Sequence, residues 1–468
     1  MRITFKVVLF SVFLLCSLST VAQEVQYTLF NTDKNLSFQK VLHMDDDRLL
    51  VIYGRERWME LCDYLYVAVH NQAQQQATVF KIPPANNKTI LYFKDAIATP
   101  TGVWFVFLNY IKAKNTIQVI LIPFNTGSGL LDRDKAINLM QIEASDFFNG
   151  TFYLIQSPDH QQLGVVTLSG ILESYQRRFS MSSVNLKTAT VNFTMREQLP
   201  SDIHTYQLLK PLIDNQGRYY ALVKRFKQAG SELDGMAPNY FYILEHFENN
   251  LIRRSTNLMP DAQMIVRYPD AVIVDSSQLL ILLPVTDTSL VHIENVILKS
   301  YQLLSNTITG SKMISVNNNE PKINSSFITD IYKSDHTTNG VISGQYLEEI
   351  NGARLTHAYD IIKTYAIILH CNTDDCKSFI IKTRGRIQEE LDFIYHHKDT
   401  LNMVNYAPNS SNHFEWVTYA GGNENFKKQY SLPAAIWKQS DPYYFTQCNG
   451  KTVLIQSSGV RYTIMYLP

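Results

Sequence analysis

Three short strings carry the side chains that most often hold a ligand. The densest is Arg55-Glu56-Arg57-Trp58-Met59-Glu60, just past the apolar run Leu49 to Tyr53. Tyr110 and Lys112 stand beyond a second run, Val103 to Leu108, and Arg225 and Lys227 beyond a third, Tyr219 to Val223. Arginine and tryptophan are favoured at binding hot spots, and an indole also stacks on sugar rings and cations. Arg55, Arg57, Trp58, Tyr110 and Arg225 are therefore the candidate ligand-binding residues. The competing reading is an ordinary solvated loop with its Trp tucked under the strands, since a lone surface aromatic needs no ligand to explain it.

Strings that look like catalytic motifs fail when read closely. Gly450-Lys451-Thr452 has the ending of a phosphate loop, but the position five before Gly450 is Phe445, and Asn449-Gly450 is better explained as a two-residue hairpin turn. Gly-x-Ser-x-Gly, His-Glu-x-x-His and Gly-x-Gly-x-x-Gly do not occur. Asp45-Asp46-Asp47 lacks the alternating ligand spacing of a calcium loop and reads as turn chemistry. His396-His397 is the one adjacent histidine pair, and neighbours on a strand point to opposite faces, which argues against a shared metal. His43, His160, His336 and His413 fall in or beside recurring turns, which suits packing. The sequence thus points to no catalytic residue, no metal and no cofactor.

The address and the cysteines suggest an exported protein. Arg2 and Lys6, the apolar run Val7 to Leu18 and the small-residue site Thr20-Val21-Ala22 form a secretory signal over residues 1–22. That run is shorter than the ~20 residues a helix needs to span a bilayer, and no later stretch approaches that length. A secreted or periplasmic location is expected. Cys16 leaves with the signal, so Cys62, Cys371, Cys376 and Cys448 remain, an even number. Cys371 and Cys376 bracket Asn-Thr-Asp-Asp between two apolar runs, as in a hairpin whose mouth a disulfide closes. Six Asn-x-Ser/Thr sequons, at Asn35, Asn87, Asn149, Asn192, Asn324 and Asn409, are about what chance gives in a chain rich in these residues. The 42 basic and 42 acidic residues balance, which gives no field for nucleic acid. With 18% charged residues and an excess of Tyr and Phe, the composition is that of a packed domain and excludes disorder and coiled coil.

The elements that must position these residues recur along the chain. A turn of Asp, Asn, Ser, Gly or Pro leads at once into an apolar run, with turn centres at 46, 101, 159, 216, 276, 336 and 410. The intervals are 55, 58, 57, 60, 60 and 74. Continuous runs of Val, Ile, Leu and Tyr, such as Leu49 to Tyr53, are what strands covered on both faces look like. Helical periodicity is nearly absent, Leu130 to Met140 and Gly385 to Tyr395 being the only candidates. The fold class is all-β. Seven units, each with room for about four antiparallel strands, imply radial repetition. Two stacked β-sandwiches would also show frequent strands, but they do not explain a spacing that holds through the middle of the chain.

At this point the chain resembles β-propeller proteins, most nearly the seven-bladed type, with a single propeller over residues 23–468. Ser157-Pro158-Asp159 before Leu163-Gly164-Val165-Val166 is similar to the turn and strand of TolB-like repeats. The signatures of WD and kelch repeats are missing, and Ser157-x-Asp159 starts like a sialidase Asp-box but no Trp follows. A propeller is usually closed by a strand from one terminus, here Glu24 to Phe30, which brings the first and last blades together. Cys62 could then approach Cys448 and form a disulfide; two buried thiols are the alternative. The function this implies is a secreted, non-catalytic propeller that binds a protein or glycan through the loops leaving the second strand of each blade. The alternative is a carbohydrate-active hydrolase or lyase whose acidic or His/Tyr groups converge on the channel from different blades.

Overall fold

The computed structural model describes residues 26–467 apart from 33–35, 45–47, 59–60, 72–73, 83–90, 149, 170–177, 199–205, 228–232, 235–236, 249–251, 260–263, 267–268, 287–292, 316–324, 334–337, 350–358, 372–375, 384–392, 398–399, 407–412, 421–422, 432–442, 449–450 and 459. Side chains are described for most of 37–315 and 443–466, and for few positions between.

The strands group along the chain into antiparallel units of about four, the first two joined into one sheet by a single bridge between Cys62 and Phe93. Blade 1 runs Ser37–His43, Arg48–Trp58, Leu61–Asn71, Gln76–Ile82, and blade 2 runs Leu91–Thr99, Gly102–Ile111, Thr116–Asn125, Ile137–Glu143. Blade 3 is Thr151–Gln156, Gln162–Leu168, Arg178–Asn185, Thr190–Gln198; blade 4 is Tyr206–Ile213, Tyr219–Phe226, Tyr240–Glu248, Ile252–Asn257. Blade 5 begins with Ile265–Val266 and Asp270–Ile273, then Gln278–Thr286, Ile293–Gln302, Thr307–Ser315. Blade 6 is Ser325–Lys333, Thr338–Glu349, Tyr359–Cys371, Cys376–Thr383; blade 7 is Phe393–His397, Thr400–Tyr406, His413–Ala420, Asn423–Ser431. Blade 8 joins Tyr443–Cys448, Lys451–Ser458 and Arg461–Leu467 to Gln26–Asn31 from the other end of the chain.

The first strands form a ring. Those of blades 1 and 2, 3 to 8 in succession, and 8 and 1 pack side by side. Blades 2 and 3 are joined by Gln156 Nε2, which donates to Ala98 O at 3.1 Å, and by a shared core that includes Val106, Val119, Leu163 and Val165. The chain is a β-propeller.

Among the described residues there are eight such blades, one more than the spacing of turns implies. The turn read at 410 joins the second and third strands of blade 7. The first two strands of that blade are linked through 398–399 and those of blade 8 through 449–450, both outside the described residues. The interval of 74 therefore hid one turn. Lys398-Asp399 carries a single turn-forming residue, so it made too weak a mark to count.

Continuous apolar runs form the second strands because both faces are covered by neighbouring blades. Leu49 to Tyr53 are wholly buried. Leu50 and Ile52 meet Phe93 and Phe105 of blade 2, while Val51 and Tyr53 meet Val453 and Tyr462 of blade 8. Gly164 has to be glycine, because a Cβ there would lie 2.5 Å from the Tyr219 hydroxyl of blade 4. The first turns owe their shape to acidic side chains that accept local amides: Asp214 Oδ1 from Gln216 and Arg218, Asp275 Oδ1 from Ser277 and Gln278, Asp159 Oδ1 from Gln161. Ser157 adds a hydroxyl bond to Asp159 Oδ1 at 2.6 Å.

Gln26–Asn31 pairs with Arg461 to Tyr466 and closes the ring, as the segment Glu24 to Phe30 suggested. Across that seam His70 Nδ1 lies 2.9 Å from the Tyr466 hydroxyl, and His43 Nε2 lies 3.0 Å from Cys448 Sγ. Cys62 belongs instead to the core between blades 1 and 2. Cys62 and Cys448 are thus two buried thiols outside any disulfide. Cys371 and Cys376 are direct cross-strand partners in a hairpin, with 372–375 outside the described residues. Of the two possible helices, Leu130–Leu131 and Ile137–Glu143 are strands, as is Phe393–His397, with 385–392 outside the described residues. Among the described residues the one α-helix, Ala144–Phe148, carried no sequence signal of its own, and Arg133–Lys135 is a single 3-10 turn. Among the described residues no helix is long and apolar enough to cross a membrane.

Candidate ligand-binding face

The connections that leave the second strands share one face of the ring with those that lead to the next blade. In blade 1 the Arg55 to Trp58 string is strand and not loop: register shifts at Arg55/Glu56 and Glu56/Trp58 leave Arg57 as an extra residue in a bulge. The Arg55 guanidinium lies 5.6 Å from the ring centre of Tyr64, its cross-strand partner. Lys81 flanks the same aromatic pair, 5.3 Å from Tyr66. The side chains of Arg57 and Trp58 lie outside the described residues.

Blades 2 and 3 build the most developed part of this face. Tyr110 is 38% exposed; its hydroxyl donates to Asn115 Oδ1 at 3.1 Å, and its ring meets Phe148 edge-on at 6.5 Å. Asn115 is left-handed (φ 49°) and its carbonyl accepts from Ala144 N, which ties the tight turn of blade 2 to the Ala144–Phe148 helix. Beside the aromatics, Arg178 Nη1 reaches both Glu143 Oε2 at 2.5 Å and Asp146 Oδ2 at 3.3 Å. The two carboxyls diverge. The hydrogen bond from Arg178 holds Glu143 below its ordinary pKa, whereas burial raises that of Asp146 despite the same arginine. Asp146 Oδ1 is buried without a hydrogen-bond partner among the described residues.

In blade 4, Arg225 Nη2 binds Glu245 Oε1 at 2.7 Å and the Tyr206 hydroxyl donates to Glu245 Oε2 at 3.0 Å. The Arg225 guanidinium also covers the Tyr206 ring at 5.5 Å. Glu245 is completely buried and Arg225 is 37% exposed, so the arginine anchors a carboxylate between blades 3 and 4. Lys227 Nζ donates to Pro238 O at 2.8 Å and closes the long connection of blade 4. The predicted residues therefore occupy the same end of three different blades. No hydrogen bond or ring contact among the described residues joins one string to another.

A second set of charges, which the sequence reading missed, lies on the first strands near the channel. Lys40 of blade 1 binds Asp95 of blade 2 at 2.6 Å, and Lys210 of blade 4 binds Asp270 of blade 5 at 2.6 Å. Bulges precede Lys40, Asp95, Lys210 and Asp330 alike. The signal was present as a charge recurring at one register position, at intervals of one or two repeats. Glu143, Asp146 and Arg178 left none, because they come from two blades and the connection between them.

No protein-family model matches the chain, and no curated protein sequence matches it. Solved structures resemble it at low identity. The WD40 domain of SCAP from fission yeast is 10% identical, covers 96% of each chain and gives a TM-score of 0.47. The β-propeller domain of the Trilobed protease from Pyrococcus furiosus is 8% identical over 85% of this chain and 96% of that one, with a TM-score of 0.41. The polysaccharide lyase Uly1 is 9% identical over 93% of this chain and 89% of that one, with a TM-score of 0.42. These values carry neither a residue role nor an activity across to this chain.

Proposed function

We propose that this is an exported, non-catalytic β-propeller that binds a glycan on the face where the second strands end. One observation carries the reading: five described acids of that face and of the first strands are engaged by cations, while an aromatic edge stays open. Glu245 is held by Arg225, Glu143 and Asp146 by Arg178, Asp95 by Lys40, and Asp270 by Lys210. Carboxylates held this way stabilise shape. Tyr110, exposed beside Phe148 and Arg178, offers a ring to stack and charged groups to orient a hydroxylated ligand.

The test is a glycan array probed with the purified protein and with Tyr110→Ala and Trp58→Ala. Binding lost in Tyr110→Ala supports the blade 2 and 3 patch, and binding lost in Trp58→Ala supports the blade 1 tip. Binding to no glycan refutes the reading and turns the search to a protein partner.

The enzymatic reading has one observation in its favour, the opposite pKa shifts of Glu143 and Asp146, a pattern that acid–base pairs share. Turnover of any array hit by the wild type, abolished in Glu143→Gln, would establish it over the binding reading. Export also favours a Cys371–Cys376 disulfide, because directly opposed residues on antiparallel strands lie within bridging range, about 4.5–5.5 Å between Cα atoms. Intact-mass analysis after alkylation of the unfolded, unreduced protein should find two reactive thiols in the mature chain, Cys62 and Cys448; four would refute the bridge.

A further inference from the structure

The helix that carries Phe148 is anchored by a carboxylate whose charge is only partly answered. Ala144–Phe148 packs into the core shared by blades 2 and 3. Its first amide donates to Asn115 O at 3.0 Å, Phe147 meets Phe152 of blade 3 at 5.4 Å, and Phe148 meets Tyr110 at 6.5 Å. Asp146, in the middle of the helix, is 4% exposed. A carboxylate this buried needs donors on both oxygens, or it gains by taking up a proton. Asp146 has one weak donor: Arg178 Nη1 lies 3.3 Å from Oδ2 and closer, at 2.5 Å, to Glu143 Oε2. Oδ1 is sealed from solvent, and no donor reaches it among the described residues.

The groups facing Asp146 do not make up the deficit. The helix packs on Thr116–Asn125 and Ile137–Glu143 of blade 2 and on Thr151–Gln156 and Gln162–Leu168 of blade 3. From Ile137–Glu143 comes Glu143, an acid that raises the cost of a second negative charge. Tyr153 of blade 3 packs on the other side of its strand, against the core between blades 3 and 4. Arg178 is shared between the two acids, and Arg196, exposed on the outer strand of blade 3, acts on both by its charge. Lys112 and Lys114 stand exposed in the turn before Asn115. Burial therefore moves the pKa of Asp146 up in spite of both arginines, and the docked helix binds the proton more tightly than a released one would.

We propose that Asp146 makes this helix a proton-sensitive part of the ligand face, docked more firmly when its carboxyl is protonated than when it is charged. Acidification then firms the Phe148 edge that meets Tyr110. An ordinary salt bridge behaves in the opposite way, since loss of the carboxylate charge loosens the contact. The effect on binding rests on the reading of Tyr110 as a ligand contact; the docking of the helix does not.

The test is hydrogen exchange of the Ala144–Phe148 amides, corrected for intrinsic pH dependence, in the wild type and Asp146→Asn from pH 7 to pH 4.5. The amide keeps the shape and removes the charge. The expected result is several-fold greater protection in Asp146→Asn than in the wild type at pH 7. That gap should close as the pH falls, because the wild-type carboxyl then gains its own proton. His70 titrates in both proteins, so the gap isolates Asp146. In Glu143→Gln, with Arg178 left to Asp146 alone, the gain in protection on acidification should shrink. Equal protection at pH 7, or less in Asp146→Asn, would overturn the proposal. A glycan array repeated at pH 7 and pH 4.5 tests the link to binding: signals should rise at the lower pH in the wild type and change less in Asp146→Asn. Equal signals at both pH values beside a gap in exchange would overturn that link. Glycans bound with no gap in exchange would sink the proton-sensitive helix and keep the Tyr110 reading; a gap with no glycan bound would do the reverse.

Discussion

The two interfaces of blade 4 each bury charge and treat it in opposite ways. Toward blade 3, Glu245 is completely buried and satisfied by Arg225 and Tyr206. Toward blade 5, Lys299 is nearly as buried and has no acid within reach among the described residues. Both interfaces are apolar cores between antiparallel sheets, so the fold alone does not dictate the difference. Position along the strands does. Arg225 ends a second strand and stretches back along it to the carboxylate, whereas Lys299 lies mid-strand among Ile281, Ile297 and Tyr301. The Glu245 charge ties two blades together, whereas the Lys299 charge has no acid beside it among the described residues.

The largest expected effect breaks the satisfied side. Arg225→Met removes the cation that holds Glu245 and should cost about 3–5 kcal/mol, read as a lower denaturant midpoint. The double variant Arg225→Met/Glu245→Leu should recover much of that loss, because both charges then leave the interface together. Loss of less than about 1 kcal/mol in the single variant would show that the ion pair is a surface contact and would end the contrast with Lys299.

The seam between blades 8 and 1 sharpens the comparison with a third solution, a buried base kept neutral. Burial lowers the pKa of His70 from 6.5 to about 4. Between those values the unfolded chain binds the proton and the folded chain does not. The contribution of His70 is therefore complete above pH 6.5 and is lost as pH falls toward 4, by at most about 3 kcal/mol. Unfolding titrations over pH 4–7 should show this slope, and His70→Phe should flatten it. An unchanged slope in the variant would place the proton uptake elsewhere.

The smallest expected effect is on the open face. Tyr110→Ala removes an exposed ring with one surface hydrogen bond, so stability should move by no more than about 0.5 kcal/mol in chemical unfolding. A larger loss would make Tyr110 a structural residue like Arg225 and remove it as a ligand contact.

Much of this architecture is legible in the sequence. Asp, Asn, Ser, Gly and Pro in a turn followed by an apolar run is a local pattern, and turn chemistry and two-sided burial act locally enough to be read from it. The blade count slipped by one because the sequence signal for a turn is weak at Lys398-Asp399, between the first two strands of blade 7, and strong at Pro408 to Ser411, between its second and third. Arg55, Tyr110 and Arg225 lie toward the ends of their second strands, and Arg225 anchors Glu245, twenty residues on, in the third strand of its own blade. Nothing local could announce that bond.

By itself, then, the sequence determined the strands, their turns and their repetition, because these follow from neighbours a few residues apart. Only the tertiary structure decided which charges are answered. Lys40 meets Asp95 and Arg178 meets Asp146 because the ring lays one blade against the next, and among the described residues Lys299 meets no acid for the same reason. Electrostatic pairing depends on distance in space, which a closed ring of sheets sets independently of distance along the chain.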